Sequence, residues 1–185
     1  QNGGKKIIAF IFDADGDRFY RAEYDPYGDG IIVLSGDENA ILQADFLIKK
    51  FPENMEDARF VITIESDYNV FLSARDLGLQ TILTGVGDKW ILRIAIESYI
   101  RALYLSTEDI KDKVNAGNIT KAFDIENVSA IRINKLYEIL KAQNSKKLHY
   151  KDYMSLLKFG IGSEESGHNI STGYITDKDN ELVPV

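Results

Sequence analysis

The stretch "IFDADGDRFY" (11–20) places three carboxylates within five residues. Asp13, Asp15 and Asp17 close an apolar run, and Arg18 follows at once. Alternate residues of an extended segment share a face, so the three side chains can converge. Two carboxylates about 5 Å apart repel by roughly 3 kcal/mol at an effective dielectric near 20, and a third adds to this. Such a cluster either stands open to water as a plain acidic turn or holds a cation. An oxygen-only donor set favours Mg²⁺ or Ca²⁺ over zinc. Gly16 gives the backbone the freedom to turn tightly around an ion. The pattern is not an EF-hand: counted from Asp13, the loop glycine falls on Arg18 and the closing glutamate on Tyr24.

Two further stretches carry chemistry. "GIGSEESGHN" (160–169) holds two glutamates and His168, one of only two histidines in the chain. Its hydroxyls, amides and carboxylates suit a polyhydroxylated ligand, although a flexible loop ahead of a strand has the same composition. "TGVGDKW" (84–90) sits between a strand pattern and a helix pattern. Lys89 there is a candidate substrate contact or general base, with a solvated helix-start lysine as the equal alternative. His149 matches no motif and reads as a surface residue.

The elements that must position these groups follow from periodicity. Residues 7–12 are all apolar and predict a buried strand. "RFYRAEYDP" alternates and predicts a second strand, with a turn at Pro26 and "YGDG". Ser35 and Glu38 have capping-box spacing, which opens a helix over 37–51. "RFVITIE" (59–65) predicts a strand, and Asp67 caps a helix bearing Val70, Phe71, Ala74 and Leu77. Gly78 stands at the C-cap position and "LQTILT" (79–84) is the next strand. "GVGD" then turns into a long helix over about 89–105. This rhythm is that of an α/β fold with parallel pairs. Residues 106–158 break it with helical, net-basic patterns, after which strands resume near Gly160 and run through "HNISTGYIT". "DKDNE" predicts a turn and "LVPV" the start of a further strand.

Bulk properties narrow the classes. The 185 residues suffice for one good core, or for one domain with a piece of another. The net charge of -7 argues against general nucleic-acid or anionic-membrane binding. With no cysteine, disulfides and thiolate ligands are excluded. No apolar run is long enough to cross a bilayer, and no signal peptide is visible. The Gln start, close to an apolar strand, reads as a fragment of a longer protein.

Taken as one unit, Asp-x-Asp-x-Asp-Arg resembles the metal loop of the α-D-phosphohexomutases, the phosphoglucomutase and phosphomannomutase family. "EESGH" resembles that family's sugar-recognition loop, Gly-Glu-x-Ser-Gly-His. Glu164, Ser166, Gly167 and His168 match, and Ser163 stands where the family usually has Gly. "TGVGDKW" resembles the family segment that ends a strand beside the sugar. The three occur in family order.

The resemblance implies a three-layer α/β/α mixed sheet of the phosphohexomutase domain type. Residues 1–27 would be the end of the second domain with the metal loop. Residues 28–185 would be the third domain, with a helical insertion at about 98–157. It implies a cytoplasmic enzyme that interconverts hexose 1-phosphate and 6-phosphate through a phosphoserine and a bisphosphate intermediate. Asp13, Asp15 and Asp17 would hold Mg²⁺, and Arg18 would contact the phosphoserine. Glu164 and Ser166, with Gly167 beside them, would bind sugar hydroxyls. His168 would lie near phosphate, and Lys89 near the substrate. Hexose 1,6-bisphosphate would activate the full-length enzyme. No phosphoserine loop and no terminal phosphate loop occur here, so the remaining mutase domains are the expected partners. The fragment alone is expected to be inactive, with a weak metal site. The preferred sugar stays open among glucose, mannose and glucosamine phosphates.

Two alternatives remain. An apolar strand ending in Asp-x-Asp-Gly resembles haloacid-dehalogenase-type phosphatases, with Asp13 as nucleophile and Asp15 as acid. A non-catalytic mutase-like binding module, using the basic insert as its surface, is the other.

Overall fold

The computed structural model describes residues 7–106, 158–171, 174–176 and 182–184. The helical insertion and His149 lie outside the described residues, apart from the end of the long helix.

The chain opens with three antiparallel strands, β1 (Ile8–Phe12), β2 (Phe19–Asp25) and β3 (Gly30–Leu34), in the order β1-β2-β3. The sequence reading finds the first two and misses β3. The expected division at 27/28 falls inside the β2–β3 hairpin, so this sheet continues to Leu34. One expectation needs correcting: β1 is not buried but exposed along its whole length. Its apolar composition is that of a core strand. However, the buried clusters among the described residues gather around the second sheet, leaving Phe10 and Phe12 in solvent.

Ser35 then starts helix α1 (Gly36–Lys50) with the predicted capping box. The Ser35 hydroxyl accepts from the N–H of Glu38 at 3.3 Å, and Glu38 accepts from the N–H of Ser35 at 2.7 Å. Both bonds satisfy amides that have no partner within the helix. Ser35→Ala should therefore cost about 1 kcal/mol, measurable as a lower urea midpoint at unchanged slope. A short helix, α2 (Pro52–Met55), follows; proline at its first position ends α1 and starts the next turn.

The second sheet has the order β5-β4-β6-β7. β4 (Arg59–Thr63) is central and parallel to both β5 (Gln80–Thr84) and β6 (Phe159–Ser163). β7 (Asn169–Ser171) returns antiparallel along β6. β4 and β6 are fully buried, as expected of strands covered on both faces. Phe60, Ile62 and Ile161 pack under α1 and α3 (Tyr68–Asp76), with Ala40, Ala44, Leu47, Val70 and Ala74. Val61 and Phe159 face the other way, against Ile91, Ile94 and Ala102 of α4 (Asp88–Ser106). This is a three-layer α/β/α arrangement around a mixed sheet. Strands β8 (Tyr174–Thr176) and β9 (Leu182–Pro184) form a separate hairpin.

Asp67 caps α3 as expected, accepting from the N–H of Asn69. Gly78 ends α3 in the left-handed conformation, φ +84°. Among the described residues no helix is long and apolar enough to cross a membrane.

Candidate functional site

Parallel strands β4, β5 and β6 end at Thr63, Thr84 and Ser163. The loops beyond them emerge on one edge, where open α/β sheets bind ligands. The β6 loop folds back on itself: Gly167 donates to the carbonyl of Glu164, and Glu164 to that of His168, each at 3.0 Å. Gly167 has φ +100°, and a Cβ there would lie 3.0 Å from Tyr20 and 3.2 Å from Arg18. The turn and its neighbours both call for glycine.

The β1–β2 turn lies against this loop. Phe19 N–H donates to the carbonyl of Gly167 at 3.1 Å, and the Tyr20 hydroxyl donates to the carbonyl of Ser166. The aspartate loop is thus held beside the Gly-Ser loop. Its three carboxylates each bring an oxygen within 4.8 Å of the other two. Asp13 is already engaged: its Oδ1 accepts from the N–H groups of Gly16 at 3.1 Å and Arg18 at 3.2 Å. Arg18 Nε lies 3.6 Å from Asp13 Oδ2. Desolvation pushes Asp13 up. The N–H of Arg18, hydrogen bonding with Asp15 and Asp17, and the N–H of Gly16 outweigh it and hold the carboxyl below its usual value. Asp15 and Asp17 are exposed. The donor set is all carboxylate oxygen, which suits a hard divalent cation.

His168 joins the two loops. Its Nδ1 lies 2.9 Å from Glu164 Oε2 and its Nε2 3.1 Å from Asp17 Oδ2. Both ring nitrogens face acceptors, so the doubly protonated imidazolium fits best. The hydrogen bond to Glu164 raises its pKa, partial burial opposes, and Asp17 adds to the rise. A raised histidine pKa means the folded state holds the proton more tightly than the unfolded chain. This stabilisation is complete below the unfolded value near 6.5 and lost as pH rises through the folded one. Unfolding free energy should therefore step down with rising pH, and His168→Gln should remove that step in denaturant titrations from about pH 6 to about pH 9.

Glu164 is buried and uses both oxygens. Oε1 accepts from the N–H of Gly87 at 2.8 Å. Oε2 receives His168 at 2.9 Å and lies 3.4 Å from the Ser166 hydroxyl. A carboxylate offers about four lone-pair sites, so one remains on Oε1 for an outside donor such as a hydroxyl. Gly87 belongs to the "TGVGDKW" turn, so this segment does reach the Gly-Ser loop. Lys89 is exposed beside it, its Nζ 5.6 Å from the centre of the Trp90 ring.

The structure thus gathers Asp13, Asp15, Asp17, Arg18, Glu164, Ser166, Gly167 and His168, while Lys89 stands at the rim. Sequence reasoning missed Tyr20, Gly36, Asp37 and Ser163 as supports of the site. Gly36 donates to the carbonyl of Glu165 at 3.1 Å. The Asp37 carboxylate takes the hydroxyls of Ser66 and Ser163. The signal in the sequence was their place beside the aspartate turn, a capping box or the Gly-Ser loop. No family model matches the chain, and no curated protein matches it.

Proposed function

We propose that this chain is the part of a cytoplasmic α-D-phosphohexomutase that binds Mg²⁺ and the sugar. In it Asp13, Asp15 and Asp17 hold the ion. The observation that carries the reading is His168, which bonds Glu164 in its own loop and Asp17, 151 residues away in sequence. An ion site and a hydroxyl-binding site are then adjacent, as transfer of a phosphoryl group to or from a sugar requires. When bound, Mg²⁺ would offset charge on the transferring phosphoryl group.

The chain's own residues do the rest. Glu164 accepts a sugar hydroxyl on its remaining lone pair, and the exposed Ser166 hydroxyl offers a second bond. Imidazolium His168 and Arg18 supply positive charge toward phosphate. Lys89, with its ammonium in solvent, reaches the substrate from the rim. The phosphoserine and the phosphate-gripping loop come from the remaining domains of the parent protein, and hexose 1,6-bisphosphate primes the serine. The isolated fragment is inactive on this reading.

The test is an activity panel on the parent protein with Mg²⁺ and a trace of hexose bisphosphate. Among glucose, mannose and glucosamine 1-phosphates, at least one should be converted to its 6-phosphate. Hydrolysis of an aryl phosphate by the fragment alone would favour the phosphatase alternative. A parent reading frame without a phosphoserine loop would favour the binding module.

A further inference from the structure

Asp37 takes no part in the binding scheme above, yet it is completely buried. Its Oδ1 accepts from the Ser66 hydroxyl at 3.1 Å and the Ser163 hydroxyl at 3.2 Å. Its Oδ2 accepts from the N–H of Asp67 at 3.1 Å. The donors come from two separate segments, the β4–α3 turn and the last residue of β6, while Asp37 itself lies in the first turn of α1. The charge sits at the N-terminal ends of both α1 and α3, where unpaired N–H groups favour an anion. Burial pushes the Asp37 carboxyl up, and the three donors oppose that rise. A buried carboxylate is costly unless its oxygens are satisfied, and here both oxygens hold the β4–α3 turn while Oδ1 also holds the end of β6.

Ser163 is the residue next to Glu164. It is fully buried, and its hydroxyl also lies 3.4 Å from the carbonyl of Glu164, a longer contact than that to Asp37. The same helix start touches the loop twice more: Gly36 N–H holds the Glu165 carbonyl, and Gly36 leaves no space for a Cβ beside the Glu164 carbonyl.

We propose that Asp37 is a positioning residue: through the Ser163 hydroxyl it sets the end of β6, so that the Glu164 carboxylate meets the Gly87 N–H with one lone pair left for a sugar hydroxyl. The sugar in this statement rests on the mutase reading; the placement of Glu164 does not.

The test follows the Gly87 amide by NMR in the full chain, in Asp37→Ala, Ser163→Ala and Ser66→Ala. That amide bonds a carboxylate, so its shift and exchange report where Glu164 stands. Asp37→Ala and Ser163→Ala should move it upfield and lower its protection roughly tenfold. Ser66→Ala removes an equivalent bond to the same Asp37 oxygen, but one from the β4–α3 turn, and should leave the Gly87 amide in place. An unmoved Gly87 in folded Ser163→Ala would overturn the proposal, as would an equal response in Ser66→Ala. Should Asp37→Ala not fold, Ser163→Ala decides alone. Turnover of hexose phosphates by the parent protein separates the two claims. A Gly87 response in a protein that converts no hexose phosphate upholds the positioning and defeats the mutase reading. An active parent with an indifferent Gly87 does the reverse.

Discussion

Gly36→Ala destabilises the protein by about 3 kcal/mol and displaces the loop over 163–168. A Cβ at this position would stand 2.1 Å from the Glu164 carbonyl oxygen and 2.6 Å from the Gly167 nitrogen. These are backbone atoms of a tight turn, so no rotamer change relieves the overlap. Either α1 moves away from β6, opening the core around Ala40 and Ala44, or the loop moves and loses its bond from Gly36 N–H. The melting temperature should fall by about 6–12 °C for a chain of this size. Gly30→Ala is the matched control. A Cβ there meets its nearest neighbour at 3.9 Å, an ordinary contact, so stability should stay within about 0.5 kcal/mol. Equal melting of the two variants would mean that α1 does not press on the loop.

The second large effect is on activity. Glu164→Ala should lower kcat/KM of the parent protein for hexose phosphates by roughly a hundredfold or more, because hydrogen bonds to a charged group contribute about 1.5–3 kcal/mol each. On the proposed reading the loss removes the acceptor for a sugar hydroxyl. It also frees His168 and the Gly87 N–H, which both lean on that carboxylate. Glu165→Ala is the internal comparison. That side chain is exposed, and the neighbouring helix uses only its carbonyl, so kcat/KM should change less than about twofold. Steady-state kinetics on both variants would discriminate a sugar-binding glutamate from a loop that merely tolerates charge.

Most of the second sheet was legible because its signals are local. The capping box at Ser35 and Glu38, the cap at Asp67, Gly78 past the end of α3 and the β-branched run of β4 each state their element in a few residues. β3 is as apolar as β1 in "IIVL", but so short a run between a turn and the Ser35 cap cannot be told by periodicity from the approach to a helix. The burial of β1 was misread for a different reason. Apolar composition tells which residues prefer an interior, not whether a covering layer is at hand. The site was half legible. Asp13, Asp15 and Asp17, and Glu164 with His168, declare themselves by residue type. What joins them does not: the Tyr20 hydroxyl on the Ser166 carbonyl, Asp37 on Ser163 and Gly36 under Glu164 are contacts between distant segments, and no spacing records them.

The exposed faces of β1 and β3 bear on the same account. Ile8, Phe10, Phe12, Ile31 and Val33 are apolar and open to solvent, whereas β4 and β6 are covered on both sides. The candidate site lies at the junction of these two unlike sheets. The β1–β2 turn is bonded to the β6 loop there, and α1 packs against both sheets.

The most direct measurement is Mg²⁺-dependent conversion of hexose 1-phosphate to 6-phosphate by the parent protein, beside its Asp15→Ala variant. Asp15 is exposed and its hydrogen bonding is with Asp13 of the same turn, so its loss should leave the fold intact and, on the proposed reading, remove an ion ligand. The account predicts conversion by the parent and a loss of at least a hundredfold in the variant, the scale of removing electrostatic stabilisation from a transferring group. A folded parent that converts no hexose phosphate, or a variant as active as the parent, would contradict it.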